Sequence, residues 1–399
     1  MFVAAASVAR TAYALTNLRR LRPIAAEPLS EQPLITVIIP ARNEEATIGH
    51  CLSGLRAQRH QALRILVVDD DSTDETAVIA EKHAAEDSRV RVLRSEGPPE
   101  GWAGKVHAMH RGVAEADSID DWPGHTDWLL FFDADTIARP ELVGRLLATA
   151  EERAADFLST LNATDGTRAW YWLLMPSVTT LLCEAGCPDG RGNRQALAIG
   201  QCMLLRRSAY DRVGGWSKLA DSRLDDVRMA NLVRDSGGRT QMVDSARELF
   251  TTGWDDFADG WRSMRKSWVA ATDGDLRALA WATMWQLVYG LTPPLGVAAG
   301  LRRHDTRLLL AGAVGWAAQA VAHAKIAQRF GQPAASGALA PFSWAAFGCN
   351  FGDAARTVIS GNAFWRGRPV VRTQTQNRGM NLSLIIRRQE VNRPLDHFS

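Results

Sequence analysis

The run Leu129-Leu130-Phe131-Phe132 leads straight into Asp133-Ala134-Asp135-Thr136. Four apolar residues ended by two carboxylates one position apart read as a buried strand with an acidic end. Side chains at i and i+2 of an extended segment point the same way, so Asp133 and Asp135 can both reach one cation. An oxygen-only donor set suits Mg²⁺ or Mn²⁺, ions that usually sit between one or two carboxylates and substrate phosphates. Standing alone, Asp-x-Asp is more often a strand end with two solvated caps. Other stretches therefore bear on the choice. Asp69-Asp70-Asp71-Ser72-Thr73-Asp74 follows directly on the apolar run Ile65–Val68. Lys105 closes the glycine-bearing loop Gly101-Trp102-Ala103-Gly104-Lys105, where it is either a diphosphate ligand or an exposed loop lysine. Asp225-Asp226 opens a helical face marked by Val227 and Ala230. Carboxylates at that position complement the helix dipole or supply a general base.

The elements that must position these residues follow from the apolar pattern. Leu34–Ile39, Ile65–Val68 and Val90–Leu93 read as further buried strands. Asn43 is the expected cap of a helix from Glu44-Glu45 whose inner stripe is Ile48, Cys51, Leu52 and Leu55. A second helix carries Ala77, Ile79, Ala80 and Ala84, and a third covers Val106–Ala116. Strand–helix–strand repeats of this length imply parallel βαβ units. Polar loops leading from strand ends into helices have the geometry of a nucleotide site. Pro140 starts a helix over Glu141–Ala155. Thr167–Leu182 reads as an apolar core helix, with the wall of an acceptor pocket as its alternative. Ala198–Leu205 is a strand holding Gly200-Gln201-Cys202, and Val213-Gly214-Gly215-Trp216 is a turn with an aromatic at its tip.

A chain of 399 residues has room for two or three domains. A net charge of +2 provides no global field for nucleic acid. The five Cys are irregularly spaced, and Cys183-x-x-x-Cys187 lacks partners for zinc, which fits a reducing compartment. Of fourteen Trp, many follow residue 250, as in proteins that touch lipid or sugar. Residues 1–18 are mildly apolar but interrupted by Arg10, so an interfacial anchor helix is expected, with Pro23–Pro33 as a linker. Trp254–Ala271 puts Trp254, Phe257, Trp261 and Trp268 along one face and Arg262, Arg265 and Lys266 along the other. Such a basic helix suits a membrane surface, or packing on the rest of the domain. Residues 278–301 carry no charge and are long enough to span a bilayer, while Leu308–Ala324 and Ala338–Phe351 are shorter candidates. A spanning segment would put Arg302, Arg303 and Arg307 outside, against the positive-inside tendency. A break at Pro293-Pro294 into a re-entrant or in-plane hairpin is the alternative. The expected division is 1–33 anchor and linker, 34–275 catalytic, 276–365 apolar helices (spanning or re-entrant), and 366–399 a basic cytosolic tail.

In order, the chain carries Pro40-Ala41-Arg42-Asn43-Glu44, Val68 to Asp74, Gly101 to Lys105, Asp133-Ala134-Asp135 and Asp225-Asp226. This set resembles the family 2 glycosyltransferases over roughly residues 34–270. The resemblance implies a Rossmann-like GT-A α/β domain, an inverting transferase for nucleotide-diphospho-sugars. It assigns Glu44 and Asp70 to the nucleoside, with Pro40 and Asp74 in the same segments, and Asp133 with Asp135 to the ion and diphosphate, beside which Lys105 is the candidate from its loop. Asp133 and Asp135 would hold Mg²⁺ or Mn²⁺. The family's base comes from a Glu-Asp pair, here Asp225-Asp226, with Asp226 at the base position. Processive synthases of the family carry Gln/Arg-x-x-Arg-Trp, whereas here Lys266 follows Arg265, which favours a single transfer over polymer synthesis. The stretches containing Trp102, Gln201 and Arg265, and the apolar last third, look like the membrane-bound subset associated with hopanoid and carotenoid biosynthesis. Trp102, Gln201, Trp216 and Arg265 are accordingly candidates for acceptor contacts or mobile loops. The expectation is transfer of one sugar to a hydroxyl of a lipid or isoprenoid-type acceptor at the cytosolic face of the cell membrane. A nucleotidyltransferase would show a glycine-rich loop where Pro40–Glu44 stands. An inactive scaffold would not need the full set of carboxylates.

Overall fold

The strand β1 (Ile35–Ala41) shows why the first half of the chain folds as it does. Ile35, Val37, Ile39 and Ala41 face one apolar cluster while Ile38 faces another, so both sides of the strand are covered. The computed structural model describes residues 2–119, 122, 126–164, 168–190, 195–254, 256–361, 364–365 and 368–369. The basic tail expected over 366–399 otherwise lies outside the described residues.

In chain order the elements are α1 (Phe2–Arg20), β1, α2 (Ile48–Arg56), β2 (Leu63–Asp70), α3 (Thr76–Glu86), β3 (Val90–Ser95) and α4 (Gly104–Ser118). Next come β4 (Trp128–Phe132), β5 (Thr136–Ala138), α5 (Leu142–Glu152), β6 (Phe157–Leu161), β7 (Ala163–Thr164) and α6 (Ala169–Ala185). The remainder are β8 (Cys202–Arg206), α7 (Arg207–Arg212), α8 (Asp225–Asp235), β9 (Thr240–Asp244), β10 (Leu249–Thr251), α9 (Phe257–Ala271), α10 (Leu276–Arg303), α11 (Thr306–Arg329) and α12 (Ala340–Ile359). The chain divides into two compact units, residues 16–166 with 182–253, and residues 1–15 with 167–181 and 254–399. Residues 167–181 and 254–275, placed by sequence with the catalytic domain, thus belong to the second unit.

In the first unit, seven strands among the described residues form a mixed sheet in the order β3-β2-β1-β4-β8-β6-β9. β3, β2, β1 and β4 run parallel, as the βαβ reading requires. β8 is antiparallel to β4, with Phe132 opposite Cys202. The start of β8 therefore lies at the carboxyl edge of β4. Residues 23–33 are not a free linker: the Ile24 N–H donates to Asp244 O (3.0 Å) and the Leu29 N–H to Gly144 O (3.0 Å). These bonds fasten the segment to the end of β9 and to α5.

The second unit is helical. α10 runs without a break through Pro293 and Pro294, so the hairpin weighed as one alternative there does not form. Close backbone packing holds it, since a Cβ on Gly312 would sit 2.7 Å from Pro293 O and 2.5 Å from Val297 N. Arg10 lies 4.0 Å over Trp344 and 4.3 Å over Tyr289, and it donates to Gln286 Oε1 at 3.2 Å. Met284, Val288, Leu291 and Leu295 form an exposed stripe on α10, and Leu310, Val314 and Val321 another on α11. Among the described residues no helix is long and apolar enough to cross a membrane, so the spanning alternative for 278–301 and 308–324 has no support here. The interior Gln286, Gln319 and His323 show where the polarity lies. α6 is a core helix, with Tyr171 and Leu174 fully buried.

Candidate active site

The parallel strands β1, β2 and β4 deliver their carboxyl ends to one sheet edge, where open α/β sheets bind ligands. Two acidic loops meet there, and they are built differently.

The first joins the loops after β1 and β2. Asn43 (φ 53°) and Asp71 (φ 61°) occupy the left-handed region, which Asn and Asp tolerate best among residues with a Cβ. Asn43 is not a helix cap, because α2 begins only at Ile48. Its Oδ1 instead accepts the Thr73 N–H at 2.9 Å, while its own N–H donates to Ser72 Oγ at 3.0 Å. The Glu44 N–H donates to Thr76 Oγ1 at 2.7 Å. Asp74 accepts from the Glu45 N–H (3.2 Å), the Thr76 N–H (3.1 Å) and the Thr76 hydroxyl. Burial pushes the Asp74 carboxyl up, but these bonds outweigh it and hold it below its ordinary value. Asp74, expected at the nucleotide, is thus committed to clamping two loops. Asp70 ends β2 buried, and Arg42 donates to its carbonyl at 3.3 Å while lying 3.9 Å from its carboxylate. Pro40 pairs with Val68 within the sheet.

The second cluster gathers around Lys105 in the first turn of α4. Its Nζ is 2.6 Å from Asp133 Oδ1 and 3.9 Å from Asp225 Oδ2, and it donates to Gly200 O at 3.2 Å. Burial alone would lower the Lys105 pKa, but Asp133 and Asp225 outweigh it and keep the ammonium charged. Asp133 is fixed through its backbone: its N–H donates to Gln201 O at 3.0 Å, and its carbonyl accepts from the Thr136 hydroxyl at 2.8 Å. Asp135 is pushed up to about 6 by burial, then by Asp133 and Glu44. Asp226, in the first turn of α8, accepts the Val227 N–H at 2.7 Å. Burial, then Asp225, raise its carboxyl to about 7. Gly200 has no side chain where a Cβ would lie 3.1 Å from Lys105 Nζ and 3.6 Å from Asp226 Oδ2.

Two carboxylates, Asp133 and Asp225, lie within 4 Å of the Lys105 ammonium, and burial first, then neighbouring carboxylates, raise Asp135 and Asp226 beside them. An oxygen-only, negatively charged donor set fits a hard divalent cation. Among the described residues, no three His, Cys, Asp or Glu side chains converge closely enough to hold an ion unaided.

The acceptor-side candidates divide. Trp102 is half-buried and stacks on His110, with ring centroids 4.9 Å apart. Gln201 contributes its carbonyl to Asp133. Trp216 is not at an open tip but fully buried, edge-on to Phe131 at 5.0 Å, with its backbone N–H donating to Tyr210 Oη at 3.2 Å. The two glycines before it let the turn tuck inward, since a Cβ on Gly215 would meet the Tyr210 ring at 2.5 Å. Arg265 lies in the helical unit, 3.0 Å from Asp353 Oδ2, an oxygen it shares with the Trp261 indole. Sequence reasoning gave no role to Arg42 or to Gly200. A lone glycine at a strand start is the usual mark of close approach and was the available signal for Gly200.

Comparison with known proteins decides what edge this is. The glycosyl transferase family 2 model matches residues 36–214, and that of glycosyl transferase family group 2 matches residues 128–330, just over half the chain. The chain is a member of the family 2 glycosyltransferases. It is 32% identical over 188 residues to a 4,4'-diaponeurosporenoate glycosyltransferase of Staphylococcus aureus (strain MRSA252), over 45% of this chain and 46% of the relative. The chain therefore spans about half the length of the curated relatives it matches. In structure it is similar to a mannosyltransferase from Pyrobaculum calidifontis, solved with GDP-Man and Mn²⁺. That likeness has a TM-score of 0.52 at 18% identity, over 90% of this chain and 96% of the other. At such identity it speaks to the fold, a glycosyltransferase α/β sheet of the GT-A kind. Within this family 2 glycosyltransferase, Asp133, Lys105, Asp225 and Asp226 come together at the sheet edge.

Proposed function

We propose that this family 2 glycosyltransferase moves a single sugar from a nucleotide-diphospho-sugar to a hydroxyl of a lipid or isoprenoid-type acceptor, with inversion. The observation that carries the reading is the crowding of Asp133, Asp135, Asp225 and Asp226 around Lys105 at the carboxyl edge of β4. Asp226 accepts the proton of the acceptor hydroxyl as its oxygen attacks the anomeric carbon, and the nucleoside diphosphate leaves with the bonding electrons on the opposite side. A carboxyl at about 7 is well matched to this task, being close to working pH. Burial first, and then the negative charge of Asp225, keep that value high. Asp70 and Glu44 hold the nucleoside side, and Arg42 fixes the Asp70 backbone. Asp133 and Asp135 would hold Mg²⁺ or Mn²⁺, which when bound offsets negative charge on the diphosphate leaving group.

The activity of the Staphylococcus relative, a 4,4'-diaponeurosporenoate glycosyltransferase, supports an isoprenoid-type acceptor. Location at the cytosolic face of the cell membrane is supported by the exposed apolar stripes of α10 and α11 and by the charge-free run 278–301. Lying in the plane of the interface fits helices too polar to span. Mass spectrometry of lipids from cells with and without the protein tests the reading. A lipid heavier by one hexose or N-acetylhexosamine only when the protein is present is the expected result. Identical lipid profiles, together with no turnover of any nucleotide-sugar by the purified chain, would count against it.

A further inference from the structure

Lys105 does not stand in its loop waiting for a phosphate. Its ammonium contacts Asp133 Oδ1 at 2.6 Å and Gly200 O at 3.2 Å, with Asp225 Oδ2 at 3.9 Å. Its side chain is only 23% exposed. The missing side chain at Gly200 leaves the space it occupies. The carboxylate it grips is one of the two proposed to hold the divalent ion. A lysine and a divalent cation at contact distance from the same carboxylate repel each other strongly in so enclosed a place. The lysine stem is anchored in the first turn of α4 but has four rotatable carbons beyond it, so the ammonium can change partner without moving the helix.

We propose that Lys105 is a resident counter-ion that competes with the divalent cation for Asp133, so that the site takes up the ion together with the nucleoside diphosphate. The incoming diphosphate oxygens accept the lysine as it leaves Asp133. Lys105 is thus a positioning residue that makes nucleotide and metal bind cooperatively. This inference rests on the reading of Asp133 and Asp135 as metal-binding carboxylates. Its consequence is reciprocal, because each ligand raises the affinity for the other by the same factor.

The test is Mn²⁺ binding to the full chain at pH 8, followed by the electron paramagnetic resonance signal of free Mn²⁺, with and without UDP or GDP. Lys105→Met should bind Mn²⁺ without nucleotide about tenfold or more tighter than wild type, the effect of removing one unit charge at contact range. The same variant should bind UDP or GDP in the presence of Mn²⁺ about tenfold or more weaker, because the diphosphate loses a cation. Changes of opposite sign in the two measurements are what a merely structural lysine would not produce. Lys105→Gln keeps a donor for Gly200 O and replaces the Met variant if circular dichroism shows that one unfolded. Lys105→Arg, which keeps the charge, should stay within about threefold of wild type. If wild type binds Mn²⁺ with nucleotide while neither neutral variant binds nucleotide-free Mn²⁺ more tightly, the lysine does not compete and the inference fails. If wild type binds no Mn²⁺ under any condition, the metal reading of Asp133 and Asp135 fails first and takes this inference with it.

Discussion

Two acidic loops sit at one sheet edge, and their electrostatics are opposite. Around Asp74 every carboxylate bond has a backbone or hydroxyl donor, and the acid is held below its ordinary value. Around Asp133 and Asp226 the carboxylates outnumber their donors, and Asp226 rises to about 7. The satisfied Asp74 is architecture: it helps fix where the strands β1 and β2 hand over to α2 and α3. The crowded loop carries a cost in the free protein that a cation and a diphosphate would offset. Perturbed acids gather where chemistry is done, and stabilising ones where shape is kept.

The contrast predicts different losses from similar substitutions. Asp135→Asn should lower the transfer rate about 10³-fold, the scale of several kcal/mol of leaving-group stabilisation, while circular dichroism shows the fold unchanged. Asp74→Ala should do the reverse. It removes three bonds, one of them from Glu45 in the other loop and two from Thr76 in its own, and should cost about 1–3 kcal/mol, read as a drop of several degrees in Tm, with rate per folded molecule largely kept. Because the Asp74 carboxyl is lowered on folding, this stabilisation is present above its ordinary value and is lost as pH falls through the folded one. A Tm difference between the variant and wild type that does not shrink in acid would break the comparison.

The crowded loop has the opposite pH sign. Asp226 is raised from the ordinary 3.8 to about 7 on folding. The stability it contributes is therefore complete below 3.8 and is lost as pH rises through about 7. Asp135 adds a similar loss through about 6. Without divalent cation, the Tm of wild type should fall between pH 5 and pH 8, and Asp226→Asn should flatten that fall. The smallest effect is expected at Gly200. Gly200→Ala places a methyl 3.1 Å from Lys105 Nζ and should lower the rate about tenfold with Tm within about two degrees. An unchanged rate would show that the ammonium has room to spare.

Much of this arrangement was legible in the sequence because it rests on local pattern. The apolar runs of β1, β2 and β4 end where their polar residues begin, so Glu44, Asp70, Asp133 and Asp135 were found with their strands. What was not legible depends on neighbours far along the chain. The antiparallel β8 that puts Gly200 and Gln201 beside Asp133 is a pairing, not a pattern. Asp74 looked like its neighbour Asp70, and only the hydroxyl of Thr76 and the N–H of Glu45 separate their roles. Trp216 followed two glycines and so resembled an exposed tip, yet the glycines are what allow it to fold under Tyr210. Pro293-Pro294 left a break open as one alternative, but α10 is whole and α11 packs closely on it at Gly312. The run 278–301 looked able to span because it is long and charge-free, but length and charge are only part of the test, and its hydropathy falls short.

The claim at the centre is that the crowded carboxylates perform the transfer, with Asp226 as the base. The direct measurement is the initial rate of sugar transfer by Asp226→Asn and wild type at pH 8, with Mn²⁺ and the same nucleotide-sugar and lipid acceptor. The account predicts a loss of about 10³-fold or more in a variant at least as heat-stable as wild type. An Asp226→Asn enzyme that keeps more than about a tenth of the wild-type rate would contradict it.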